Sequence, residues 1–148
     1  MRLFLFALVF AGCTEHNFTV SDHRPVANAC AASAGDEMGS DECSTDADCG
    51  AGMACSCAGN TFEYAHATRN LCVAAGCHVD ADCGAGGFCS PSVGDCGTFY
   101  GTQLFACHAA GDTCGSDADC TEGSGPAGYC GFVPEVNHWA CGYQFCAG

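Results

Sequence analysis

The sequence predicts a small disulfide-rich fold: three tandem repeats, each a loop plus a short β-hairpin, with little helix. Three observations predict it. The 148 residues hold 17 cysteines, a density that marks a disulfide scaffold in a short chain. Isoleucine and lysine are absent and other large aliphatics are scarce, so one aliphatic core cannot hold the whole chain together. Finally, the pattern Cys-x-x-Asp-x-Asp-Cys occurs three times, and an internal repeat of this length means a stack of similar units.

The elements follow in chain order. Residues 1–12 read as a signal peptide: Arg2, then a short apolar run from Leu3 to Phe10. That run is too short to span a bilayer, which needs ~20 apolar residues. It ends Ala11-Gly12-Cys13, which resembles the lipobox of bacterial lipoproteins. The resemblance implies a lipid on Cys13, a membrane anchor and, with Thr14 rather than Asp next to it, an outer-membrane or cell-surface location. Secretion into the medium is the alternative. Cysteine parity points the same way, because setting Cys13 aside leaves an even number to pair. Residues 13–42 are expected to form a lipidated acidic tether, solvated and without regular structure.

The repeats are residues 43–76, 77–113 and 114–148. Four cysteines of each align in the repeat: Cys43, Cys49, Cys55 and Cys72; Cys77, Cys83, Cys89 and Cys107; Cys114, Cys120, Cys130 and Cys141. A unit this small cannot bury enough apolar surface to fold without cross-links. Four cysteines allow three connectivities. First with third and second with fourth is favoured, as in Cys43–Cys55 and Cys49–Cys72, because interlocked pairs pin both turn and hairpin. Cys30, Cys57, Cys96 and Cys146 remain, to bridge between units or to the tether. Strand character is expected late in each unit, at Thr61–Tyr64 in the first and Gln103–Phe105 in the second. The spacing of Asp and Cys in these units is similar to that in cysteine-rich bacterial lipoproteins. It is also similar to Dickkopf-type secreted proteins and, more loosely, to whey-acidic-protein inhibitors. The resemblance implies an exported disulfide module. Its inhibitor branch would use the loop Thr121–Gly128.

Charge and motif narrow the function. The formal net charge is −14, and losing Arg2 with the signal peptide makes it more negative by one. Such a surface repels phosphate backbones, so no nucleic-acid partner is expected. Zinc knuckles draw on Cys-x2–4-Cys pairs; the chain has no Cys-x2-Cys or Cys-x3-Cys, only the four-residue spacings Cys72–Cys77 and Cys141–Cys146, and export favours disulfides over thiolates. The Asp pairs Asp46/Asp48, Asp80/Asp82 and Asp117/Asp119 suggest calcium as an alternative. Their surroundings fail the EF-hand pattern, however, and Asp side chains at such positions fix turns by accepting backbone N–H bonds. No nucleophile elbow, zinc-protease helix, phosphate loop or Cys-x-x-Cys redox pair is present. No enzyme activity and no cofactor are expected. Tyr129, Phe132, Trp139, Tyr143 and Phe145 crowd the last unit, and aromatics on a rigid scaffold are common binding anchors. The reading is an exported, lipid-anchored protein of surface recognition or display, contacting a protein or glycan. A structural envelope component, a small proteinase inhibitor or a calcium module are the alternatives.

Overall fold

The computed structural model describes residues 23–27, 29–33, 39–58, 68–92, 102–121 and 128–142. The fold is the small, disulfide-rich, hairpin-based one expected, and the described residues contain no α-helix. Each unit opens with a single 3₁₀ turn on its Asp-Ala-Asp segment, at Asp46–Asp48, Asp80–Cys83 and Asp117–Asp119. Two strands follow: β1 Met53–Ser56 and β2 Leu71–Ala75, then β3 Phe88–Ser92 and β4 Leu104–His108, then β5 Tyr129–Val133 and β6 His138–Gly142. The Gln103–Phe105 expectation falls on β4. The Thr61–Tyr64 run lies outside the described residues, and the second strand of the first unit comes later, at β2.

Each unit uses the same cross-links. First pairs with third in Cys43–Cys55, Cys77–Cys89 and Cys114–Cys130. Second pairs with fourth in Cys49–Cys72, Cys83–Cys107 and Cys120–Cys141. Third and fourth cysteines sit directly opposite each other across every hairpin, as Cys55↔Cys72, Cys89↔Cys107 and Cys130↔Cys141. The two bridges of a unit thus tie the 3₁₀ turn to both strands. Cys13, Cys96 and Cys146 lie outside the described residues.

The units are not separate beads. β2 and β4 pair in parallel at Ala74↔Leu104 and Ala75↔Phe105, joining the first two hairpins into one sheet of order β1-β2-β4-β3. The third hairpin, β5-β6, stands apart as a two-stranded sheet. The cause is the spacing between units. From Cys72 to Cys77 the chain has no room to turn, so β2 runs straight into the second unit as its entry strand. Between Cys107 and Cys114 two more residues are available, and Ala109–Asp112 turns the chain away. The contact at entry is nevertheless the same in all three. The residue before the first cysteine donates its N–H to the carbonyl two places before the fourth: Glu42 to Asn70, Gly76 to Phe105 and Thr113 to Trp139, at 2.8–2.9 Å.

The tether expectation is corrected in part. Residues 23–27, 29–33 and 39–42 are tied to the repeats at several points, although most of their side chains stay exposed. The Arg24 N–H donates to the Cys89 carbonyl and the Asp80 N–H to the Arg24 carbonyl. Cys30 is bridged to Cys57, and Asp41 accepts from the Ser33 N–H and hydroxyl and from the Asn70 N–H. Composition suggested a solvated segment, but a buried arginine and a cysteine anchor it.

Among the described residues two clusters form the core. One holds Ala54, Cys77, Cys89 and Phe105 between the first two units. The other holds Ala106, Cys114, Cys120, Tyr129, Cys130 and Trp139, with Leu104 packed against it. It therefore spans the second and third units.

Candidate functional site

The Asp pairs come first because they recur in every unit. The first Asp of each pair reaches back to the hairpin. Asp46, Asp80 and Asp117 accept the N–H of Cys55, Cys89 and Cys130 at 2.8–2.9 Å. Those donors lie on β1, β3 and β5, so each carboxylate closes part of a strand edge that would otherwise be open to another chain. The second Asp takes two N–H groups from the residues just before its turn. Asp48 accepts from Ser44 and Thr45, Asp82 from His78 and Val79, and Asp119 from Gly115 and Ser116. These bonds hold the three carboxyls below the ordinary carboxylate range. Burial pushes Asp117 the other way, against its bond from Cys130. The pairs serve the backbone, and among the described residues no three carboxylates gather at ligand distance. The groups that do gather are cysteine sulfurs, all in disulfides.

Among the described residues Arg24 is the fully buried charged side chain, 1% exposed. Its Nη2 lies 2.7 Å from Asp46 Oδ1 and its guanidinium sits 4.3 Å over the Phe105 ring. One side chain from the N-terminal segment thus touches the first unit with its charge and the second with its face.

A column of rings runs from that segment to the third unit. His23 stacks on Phe88, Phe88 on His108 and His108 on Trp139, with centroids 3.8–4.4 Å apart, and Phe132 meets Trp139 edge-on. Asp112 fixes the joint between units: its carboxylate lies 3.0 Å from His108 Nδ1 and accepts the N–H of Ala109 and Trp139. The Trp139 indole N–H donates to the Cys107 carbonyl. His108 Nε2 is buried and unpartnered. Desolvation pushes the His108 imidazole below its ordinary value, against the pull of Asp112. The ring is held between Phe88 and Trp139, and the nitrogen that Asp112 leaves free is buried away from solvent.

The expected aromatic binding face is corrected at two of its five residues. Trp139 is fully buried and Tyr129 is 5% exposed, so neither offers an anchor to a partner. Phe132 is half-buried, and Tyr143 and Phe145 lie outside the described residues. Most of the inhibitor-type loop, residues 122–127, lies outside them too. What is concave is the seam between the fused sheet and the third hairpin. A groove of about 540 Å³ opens there, lined by Ala74, Ala75, Leu104, Phe105, Phe132 and Pro134 among others. No charged side chain lines it. Of its lining, sequence reasoning singled out Phe132 alone, because the other walls are small or ordinary apolar residues that the β2–β4 pairing and the third hairpin bring together. A second cleft, beside His108 and Asp112, has at its base the hydrogen bonds already described.

No protein-family model, no curated protein and no solved structure matches this chain.

Proposed function

We propose that this chain is an exported, non-catalytic recognition protein, lipid-anchored through Cys13 at a bacterial outer membrane or cell surface. It would bind an apolar side chain of a protein partner in the groove between the fused sheet and the third hairpin. The uncharged groove carries this reading. Its lining of Ala, Leu, Phe and Pro matches an aliphatic or aromatic side chain, whereas a glycan needs polar groups and an exposed aromatic face. Carboxylates accept the N–H groups of Cys55, Cys89 and Cys130 on the outer strands, which disfavours recognition by strand addition. The lipobox-like Ala11-Gly12-Cys13 and the odd cysteine count support the anchor.

Two experiments test the two halves separately. Cys13→Ala should move the protein from the detergent-extracted membrane fraction to the soluble one. A wild type that is soluble and unacylated by mass spectrometry overturns the anchor. For the groove, a photo-crosslinking residue at exposed Ala74 should capture a partner on intact cells, and Ala75→Arg should abolish the adduct. The same probe at Ala118, in the third 3₁₀ turn, is the control. Capture no stronger from position 74 than from 118 overturns recognition at the groove and leaves a structural envelope component as the better reading.

A further inference from the structure

Four sulfurs meet where the N-terminal segment joins the first unit. Cys55 and Cys57 lie at the end of β1 with one residue between them. Cys55 is bonded to Cys43 and Cys57 to Cys30. The Cys43–Cys55 bridge is closed to an outside thiol, since Cys43 is 4% exposed and Cys55 fully buried. Cys30 and Cys57 are both partly exposed. The Cys30 sulfur touches the Cys55 sulfur at 3.5 Å; neither carries a proton, so this is a contact between bridges and not a hydrogen bond. The corresponding buried bridges Cys77–Cys89 and Cys114–Cys130 belong to units without a third described bridge of this kind.

We propose that Cys30, Cys43, Cys55 and Cys57 form a thiol–disulfide exchange site through which an external dithiol reaches the buried Cys43–Cys55 bridge. A thiolate of the dithiol attacks Cys57; the Cys30–Cys57 bond breaks and its electron pair leaves on Cys30 as a thiolate. The second thiol of the reagent resolves the mixed disulfide, leaving the reagent oxidised and Cys57 reduced. The Cys30 thiolate, already in contact with Cys55, attacks that sulfur. A Cys30–Cys55 bond forms, the Cys43–Cys55 bond breaks, and Cys43 leaves as a thiolate that takes a proton from water. One disulfide has been reduced, one dithiol oxidised, and the other bridge has changed partner. Exchange of this kind depends on access and on the attacking thiolate, and the contact supplies the access. The N-terminal segment stays cross-linked to the first unit in either pairing, through Cys57 before exchange and through Cys55 after it. The inference does not depend on the lipid anchor or on the groove.

The test uses Cys57→Ser, which leaves Cys30 without its partner. The oxidised, exported full chain is held at pH 8, quenched with acid and alkylated under denaturant. Among the cysteines bridged in the structure, one thiol per chain is expected, divided between Cys30 and Cys43, with Cys77–Cys89 and Cys114–Cys130 intact by peptide mapping. Labelling confined to Cys30 overturns the proposal, as does scrambling across the other units. Cys30→Ser is the control and should leave its thiol on Cys57 alone; a Cys43 label there shows that Cys30 is not the relay and also overturns it. For the wild type, limiting dithiothreitol should expose Cys43 before Cys77 or Cys114. Simultaneous appearance of the three overturns the proposal even if the variants fold poorly.

Discussion

Asp46 holds two buried partners through one oxygen: the Cys55 N–H and the Arg24 guanidinium. Asp46→Ala would strand a buried positive charge and a strand-edge donor together. Breaking a buried ion pair from one side costs about 3–5 kcal/mol, so the urea midpoint of the unreduced protein should fall by that equivalent. Arg24→Met, which removes the charge and keeps the stem over Phe105, should cost less; an equal loss would mean that the pair itself, not the stranded charge, carries the energy. His108 gives the pH dependence. Its folded pKa is lowered from 6.5 by burial, with Asp112 opposing and nearby His23 adding to the lowering. As pH falls, the unfolded chain therefore takes up its proton first, and stability is lost below about pH 6.5. His108→Phe keeps a ring in the column and should flatten the urea-midpoint slope between pH 7 and 5. Asp48, Asp82 and Asp119 act in a lower window: their folded values lie below 3.8, so their contribution is present above that pH and lost as pH falls through the depressed values.

Hairpins and turns depend on a few close approaches between elements. Gly87 leads into β3, and a Cβ there would lie 2.7 Å from the carbonyl oxygens of both Cys83 and His108. Those atoms belong to the 3₁₀ turn and to the end of β4, so neither gives way easily. Gly87→Ala should destabilise the fold by about 1–3 kcal/mol, as overpacking does, whereas Gly50→Ala, which meets open space, should stay near neutral; thermal unfolding of the two separates them. The repeat phase, the interlocked bridges and the hairpin at each unit's end were legible in the sequence because cysteine spacing is a local signal. The Asp pairs were legible as turn-fixing residues for the same reason. Arg24 was not, because its burial depends on Asp46 and Phe105, which belong to different units. Nor was the role of Trp139. An aromatic in a small module serves either as anchor or as core, and only the stacking of His108 on it and the Asp112 hinge decide for core. The parallel β2–β4 pairing is written in the difference between the Cys72–Cys77 and Cys107–Cys114 spacings, yet that difference acquires meaning only once the entry contact is seen.

At the scale of the molecule, cystine replaces the aliphatic core. Of the buried apolar residues Cys43, Ala54, Cys55, Cys77, Cys89, Phe105, Ala106, Cys114, Cys120, Tyr129, Cys130 and Trp139, most are half-cystines, so cross-links and packing are the same atoms. Each bridge typically contributes ~2–4 kcal/mol, mainly by restricting the unfolded chain, and its removal here would also open the core. The units are coupled as well. Ala106 and Leu104 of the second belong to the cluster around Trp139, the His108 ring covers the indole, and the Cys107 carbonyl takes its N–H. A cross-link in the second unit should therefore be felt in the third. Trp139 is the only tryptophan and reports on this directly. In the double variant Cys83→Ala/Cys107→Ala the bridge that anchors β4 to its turn is gone, while Cys114–Cys130 and Cys120–Cys141 remain. Tryptophan emission should then shift to longer wavelength without denaturant, as loosened β4 uncovers the indole. If the third unit were an independent module its own two bridges would keep Trp139 buried, so unchanged emission would show that the repeats fold one by one.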